Sequence, residues 1–183
     1  MNYFESKKYS LDKLQYIGCS HLGTFKKYKP QLFGDLSENE IEKLLLSWTI
    51  EQTIAQTIKN NPHPNIVQIY DITNNYIEME KVDTKYLKPI DIKVLHEAKN
   101  HLHNLGITYI DWKHDNIGVD EFGNFKLFDF DCGGTFDIKQ PQKWLFEPLS
   151  NYNYQNSLKD GYIHPIDIDN YCFMKGLITG WSS

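Results

Sequence analysis

The stretch Asp111-Trp112-Lys113-His114-Asp115-Asn116 is followed, thirteen residues on, by Asp129-Phe130-Asp131. This spacing offers one carboxylate to orient a hydroxyl, one cation for a moving phosphate, and an amide and a second carboxylate as hard oxygen ligands for Mg²⁺. Such a set reads as an ATP site. Asp111, Lys113 and Asp115 could equally be charges on a solvated turn, but Trp112 and the apolar residues on either side set that turn against a core. Residues 116–119 and 124–130 flank Asp120-Glu121-Phe122-Gly123 as a small hairpin, its second strand expected to end on Asp129. Asn116 and Asp129 would then stand at opposite ends of one hairpin and could converge on a single ion.

Upstream of that hairpin, residues 14–20 and 24–29 read as two short strands around His21-Leu22-Gly23, closed by Pro30. Ser37 with Glu40 forms a capping box ahead of a helical repeat through Ile41, Leu44, Leu45, Trp48, Ala55 and Ile58, ended by Asn60-Asn61-Pro62. Two further strands are expected over 65–70 and 75–80. A second helix is expected over 91–105, with Gly106 as its stop.

Taken together these motifs resemble a compressed protein kinase domain. Asp111-x-Lys113-x-x-Asn116 resembles the catalytic loop, and Asp129-Phe130-Asp131 resembles the Asp-Phe-Gly motif at the usual separation. His63-Pro64-Asn65-Ile66-Val67 resembles the segment after helix C, and Met79-Glu80-Lys81-Val82 the gatekeeper and adenine-binding hinge. Asp167-Ile168-Asp169-Asn170 resembles the start of helix F, with Asp167 as the brace of the catalytic loop. The resemblance implies an α+β, bilobal fold, with a β-rich N-lobe over 1–82 and an abbreviated helical C-lobe over 83–183.

The resemblance also implies the roles. Asp111 would orient the acceptor hydroxyl and take its proton, and Lys113 would neutralise the transferring phosphoryl group. Asn116 and Asp129 would hold Mg²⁺ on ATP. Met79, Glu80 and Val82 would border adenine. Lys26 matches the strand lysine that grips the inner phosphates, with Lys27 as the alternative, and Glu51 would be its ion-pair partner, although Glu40 and Glu42 share the same helix. The implied activity is transfer of the ATP γ-phosphate to a Ser/Thr hydroxyl of a protein, or to a small-molecule hydroxyl. The alternative is a pseudokinase or nucleotide-binding module that works through a protein partner.

The chain departs from the family at several points. Tyr109-Ile110-Asp111 replaces His-Arg-Asp, and Asp131 stands where the family has Gly. Gly18 and Gly23 have the interval of the outer glycines of a phosphate loop, but that assignment displaces Lys26 from the third strand. No Ala-Pro-Glu follows Asp129, and the sequence ends at Ser183 soon after helix F begins. The expectation is therefore a truncated C-lobe whose apolar surface is covered by a protein partner or a second copy.

Composition narrows the classes. All 19 basic residues are Lys, so no Arg pocket for a phosphorylated activation loop exists within these residues. Abundant Ile, Asn, Tyr and Lys suit an AT-rich genome, as in a virus, a phage or an AT-rich bacterium. A net charge of -5 argues against a nucleic-acid binder. Three dispersed cysteines, Cys19, Cys132 and Cys172, give neither a zinc site nor a disulfide framework and fit a reducing cytoplasm. A polar N-terminus and no long apolar run argue against secretion and membrane insertion. The histidines His96, His101 and His103 read as solvent-facing on their helix.

Overall fold

A computed structural model of the chain describes residues 23–31, 36–85, 89–148 and 151–178. The strand expected over 14–20 and Gly18 of the glycine pair lie outside the described residues. The architecture is α+β, built from antiparallel sheets and helices.

The first sheet has the order β1 (Thr24–Tyr28), β3 (Tyr76–Glu80), β2 (Ile69–Ile72). Against it packs α1 (Glu38–Asn60), opened by the expected capping box: the Ser37 hydroxyl accepts from the Glu40 amide, and the Glu40 carboxylate accepts from the Ser37 amide at 2.9 Å. Residues 65–67 do not join β2 as expected. They run beside the later hairpin through a bridge between Ile66 and Leu127, and a bulge between Ile69 and Asp71 carries β2 further along the chain.

Helix α2 (Ile92–Asn104), capped by Asp91, buries Leu95, Ala98 and Leu102 completely. Gly106 follows at φ 74, and β4 (Ile107–Thr108) leads into the 109–116 loop. The expected hairpin is present as β5 (Ile117–Val119) and β6 (Phe125–Leu127). Its second strand stops at Leu127 rather than Asp129, because Asp129 takes φ 62, which no strand accommodates.

Next comes a hairpin not anticipated from the sequence, β7 (Gly134–Asp137) and β8 (Gln140–Phe146), with β7 paired to β4. Then follow α3 (Tyr152–Lys159) and α4 (Pro165–Phe173), the latter continued by a wider π turn over Met174–Ile178. One hydrophobic cluster runs from Trp48 on α1 to Leu177 after α4. Asp83 and Val119 exchange backbone hydrogen bonds, which fixes the segment after β3 to β5.

Gly176 lies where the π turn crosses beneath the 109–116 loop. A Cβ there would stand 1.7 Å from the Trp112 carbonyl oxygen, backbone that cannot rotate away. Gly176→Ala should therefore destabilise the protein by about 3 kcal/mol, the upper range for overpacking, measured by urea denaturation. A loss below about 0.5 kcal/mol would show that the turn separates from the loop without cost.

Candidate active site

The 109–116 loop is held from below by one buried carboxylate. Asp169 of α4 is fully buried, and its Oδ1 accepts from the Tyr109 amide (3.1 Å), the Ile110 amide (2.7 Å) and the Trp112 indole Nε1 (2.8 Å). Its Oδ2 meets His103 Nε2 of α2 at 2.7 Å. The sequence expectation named Asp167 as this brace. Asp167 is instead exposed in the first turn of α4, because the buried stripe of that helix runs Pro165, Ile168, Asp169, Cys172, Phe173. His103, expected in solvent, has a side chain only 10% exposed.

The carboxylate offsets a strained backbone. Ile110 sits at φ 69, unfavourable for a β-branched residue, and its amide is one of the three donors to Asp169. Trp112 packs edge-on to Phe173 at 4.9 Å and lies 4.7 Å from Tyr109, whose ring meets Phe130 at 5.3 Å. The Tyr109 hydroxyl donates to the Phe128 carbonyl. Tyr109 thus joins the loop to the Asp-Phe-Asp segment by ring packing and by a hydrogen bond.

Above this floor Asp111 presents its side chain. Its Oδ2 is 2.6 Å from Lys113 Nζ and accepts from Asn116 Nδ2 at 2.9 Å; the same amide nitrogen donates to the Asp111 carbonyl at 3.0 Å. Burial opposes the Lys113 charge, but the hydrogen bond and charge of Asp111 outweigh it and raise the Lys113 pKa.

On β1 the structure brings Lys27, not Lys26, to Glu51 of α1. Lys27 Nζ lies 2.7 Å from Glu51 Oε1, 2.6 Å from Asp129 Oδ1 and 3.8 Å from Asp131 Oδ2. Lys26 points to the other face of the sheet, 3.3 Å from Glu78 and over the Tyr76 ring. The reason is strand alternation: Phe25 and Lys27 pair with Met79 and Ile77 on the buried face, whereas Lys26 pairs with Glu78. The signal was present in the apolar pair Ile77 and Met79, which marks the inner face of the partner strand.

Burial opposes the Lys27 ammonium, yet Glu51, Asp129 and Asp131 together hold its pKa well above the ordinary value. Burial pushes the Glu51 carboxyl up to about 7 against the pull of Lys27. A folded pKa raised above the unfolded value means stability that is present at low pH and lost as pH rises towards 7. Lys27→Met removes the opposing pull and raises that pKa further. The stability gap between variant and wild type should widen from pH 5 to pH 8, by at most about 1.4 kcal/mol per pH unit for one proton. Denaturant melts without divalent cations measure this, and a constant gap would show that Lys27 does not neutralise Glu51.

Asn116 and Asp129 share no hydrogen bond, but the Phe128 amide donates to the Asn116 carbonyl and draws the two together along the end of β6. Asn116 spends its amide nitrogen on Asp111, and Asp129 spends one carboxylate oxygen on Lys27. One hard oxygen of each is left out of those bonds, a donor pair suited to Mg²⁺, which takes few protein ligands and keeps waters or phosphates. Among the described residues no group of three or more His, Cys, Asp or Glu forms a preformed metal cage.

Met79 of β3 is buried, and Val82 packs against Gly118 of β5. The Glu80 carboxylate oxygen Oε2 lies 3.0 Å from Lys126 Nζ and accepts from the Gln68 amide at 3.1 Å, while the Glu80 amide donates to the Gln68 carbonyl at 2.8 Å. Two surface cavities, of about 520 Å³ beside Tyr171 and about 430 Å³ beside His63, are not lined by Lys27, Glu51, Asp111 or Asp129.

Comparison with known proteins finds protein kinases among those the chain is similar to. The chain is 31% identical over 142 residues to the hormonally up-regulated neu tumor-associated kinase homolog B of Xenopus laevis, covering 66% of this chain and 22% of that protein. It is 35% identical over 114 residues to the Mus musculus hormonally up-regulated neu tumor-associated kinase, covering 50% and 15%. It is also 32% identical over 137 residues to CBL-interacting protein kinase 33 of Oryza sativa subsp. japonica, covering 59% and 30%. The chain thus spans less than a third of the length of each of these relatives. No family model matches it. These similarities support a protein kinase-like family and, at that level, a kinase-like phosphotransferase.

Proposed function

We propose that the chain holds a bilobal protein kinase unit that transfers the γ-phosphate of ATP to a Ser/Thr hydroxyl with Mg²⁺. The observation that carries this reading is the Lys27 ammonium held between Glu51 of α1 and Asp129. Such a cation, aimed by a buried carboxylate and set beside a metal-ligand candidate, is what an ATP triphosphate needs at its inner phosphates. The adenine would lie against Met79 and Val82, with the Glu80 carbonyl and the backbone at Val82 as its polar edge.

Asp111 would accept the proton of the attacking hydroxyl, and Lys113 would turn from Asp111 to the transferring phosphoryl group. Asn116 and Asp129 would hold Mg²⁺, which supplies neutralising charge on the phosphates. Asp169 and His103 take no part in the chemistry; they fix the loop from which Asp111 acts. The same reading places the protein in a reducing cytoplasm, that of a host if the AT-rich composition marks a virus. No helix among the described residues is long and apolar enough to cross a membrane.

A second reading, a nucleotide-binding module without transfer, is favoured by Asp131. Its carboxylate stands 3.8 Å from Lys27 where the family has Gly, adding negative charge beside the phosphate path. Incubation with γ-labelled ATP, Mg²⁺ and a Ser/Thr peptide pool separates the two. Label on peptide hydroxyls supports the kinase. Mg²⁺-dependent nucleotide binding with no transfer to peptides or small alcohols supports the module.

A further inference from the structure

We propose that Ser47 is a positioning residue for Asp129, holding the 129–133 segment to α1 by a link that does not pass through Lys27; this rests on the phosphotransferase reading above. Ser47, Glu51 and Ile54 stand at i, i+4 and i+7 on one face of α1, and each meets that segment. The Ser47 hydroxyl donates to the Asp131 carbonyl at 3.0 Å. Glu51 reaches Asp129 through Lys27. Ile54 packs so closely on Gly133 that a Cβ there would stand 2.7 Å from Ile54 Cδ1.

The segment needs holding because Asp129 is at φ 62, a conformation costly for a residue with a side chain. The Lys27 link is shared. Lys27 Nζ lies 2.6 Å from Asp129 and 2.7 Å from Glu51, and ATP phosphates would compete with both carboxylates for the same ammonium. The Ser47 hydrogen bond then remains as the polar tie from α1 to the segment, beside the apolar contact of Ile54 and Gly133. Ser47 thereby keeps Asp129 turned towards the metal position while Lys27 changes partner.

The test uses the full chain with Ser47→Ala and Ser47→Thr. The half-buried Cys132, inside the segment, serves as reporter. Without nucleotide, iodoacetamide labelling of Cys132, mapped by peptide mass spectrometry, should be about fivefold faster in Ser47→Ala, the factor that corresponds to one net hydrogen bond. Ser47→Thr, which keeps the donor, should label at the wild-type rate. The Mg²⁺ concentration that half-saturates ATP binding should rise by a similar factor in Ser47→Ala and return in Ser47→Thr.

Unchanged Cys132 labelling in Ser47→Ala overturns the proposal. So does faster labelling with an unchanged Mg²⁺ requirement, because it leaves Ser47 a merely structural role. Absence of Mg²⁺-ATP binding by the wild type would sink the phosphotransferase reading and this role with it, and the wild-type arm alone reveals that case.

Discussion

Asp169→Ala is expected to destabilise the protein by about 3–5 kcal/mol, the usual cost of removing one partner from a buried charged network. The variant leaves the Tyr109 and Ile110 amides and the Trp112 indole without their acceptor, and His103 without its carboxylate. It also releases Ile110 from φ 69, so the loop that carries Asp111 should relax as well as the fold. Asp169→Asn gives the sharper comparison. All three loop donors use Oδ1, and an amide oxygen in that place keeps them, losing mainly the contact in which Oδ2 accepts from His103 Nε2. Its cost should be about 1.5–3 kcal/mol, the range for one hydrogen bond to a charged group. Equilibrium denaturation of the two variants measures the difference. Equal losses would show that the carboxylate acts through charge rather than as a threefold acceptor.

Asp111→Ala should slow phosphoryl transfer by about 10²–10⁴-fold, the range for removal of a positioned general base. Asp111 is the only described side chain that both contacts Lys113 and receives the Asn116 amide, so in the proposed reading it stands between the phosphate-neutralising lysine and a metal-ligand asparagine. The side chain is half-buried at the surface of the loop, while the loop's anchors are Trp112, Tyr109 and Asp169. Folding should therefore survive, and nucleotide binding should change little. A variant that transfers label at the wild-type rate would remove Asp111 from its role. A variant that loses ATP binding as well would make it a ligand for the nucleotide instead.

Much of this arrangement was legible in the sequence because it is local. The Ser37–Glu40 capping box, the apolar stripe of α2 ended by Gly106, and the 117–127 hairpin all declare themselves within a few residues. What escaped depends on register or on distant partners. Lys26 and Lys27 are indistinguishable until β1 is set against β3, when a one-residue step sends one to Glu78 and the other to Glu51. Asp167 and Asp169 differ only in their place on the buried stripe, which Pro165 at the first turn of α4 would have fixed had that helix been phased. His103 looked like a solvent-facing residue because its partner is 66 positions away. The β7–β8 hairpin was missed because its second strand includes Pro141 and is exposed along most of its length, so neither composition nor alternation marks it.

Calorimetric titration of Mg²⁺-ATP into the wild-type chain and into Asp129→Asn tests the central claim, that the walls formed by Lys27–Glu51–Asp129 and by Asp111–Asn116 enclose a metal-nucleotide site. The wild type should bind with an affinity that depends on Mg²⁺, and at a hundredfold excess over its dissociation constant the ligand should stabilise the fold by about 2.7 kcal/mol. Asp129→Asn should lose the Mg²⁺-dependent part. Identical binding by both proteins, or none by either, would contradict the account.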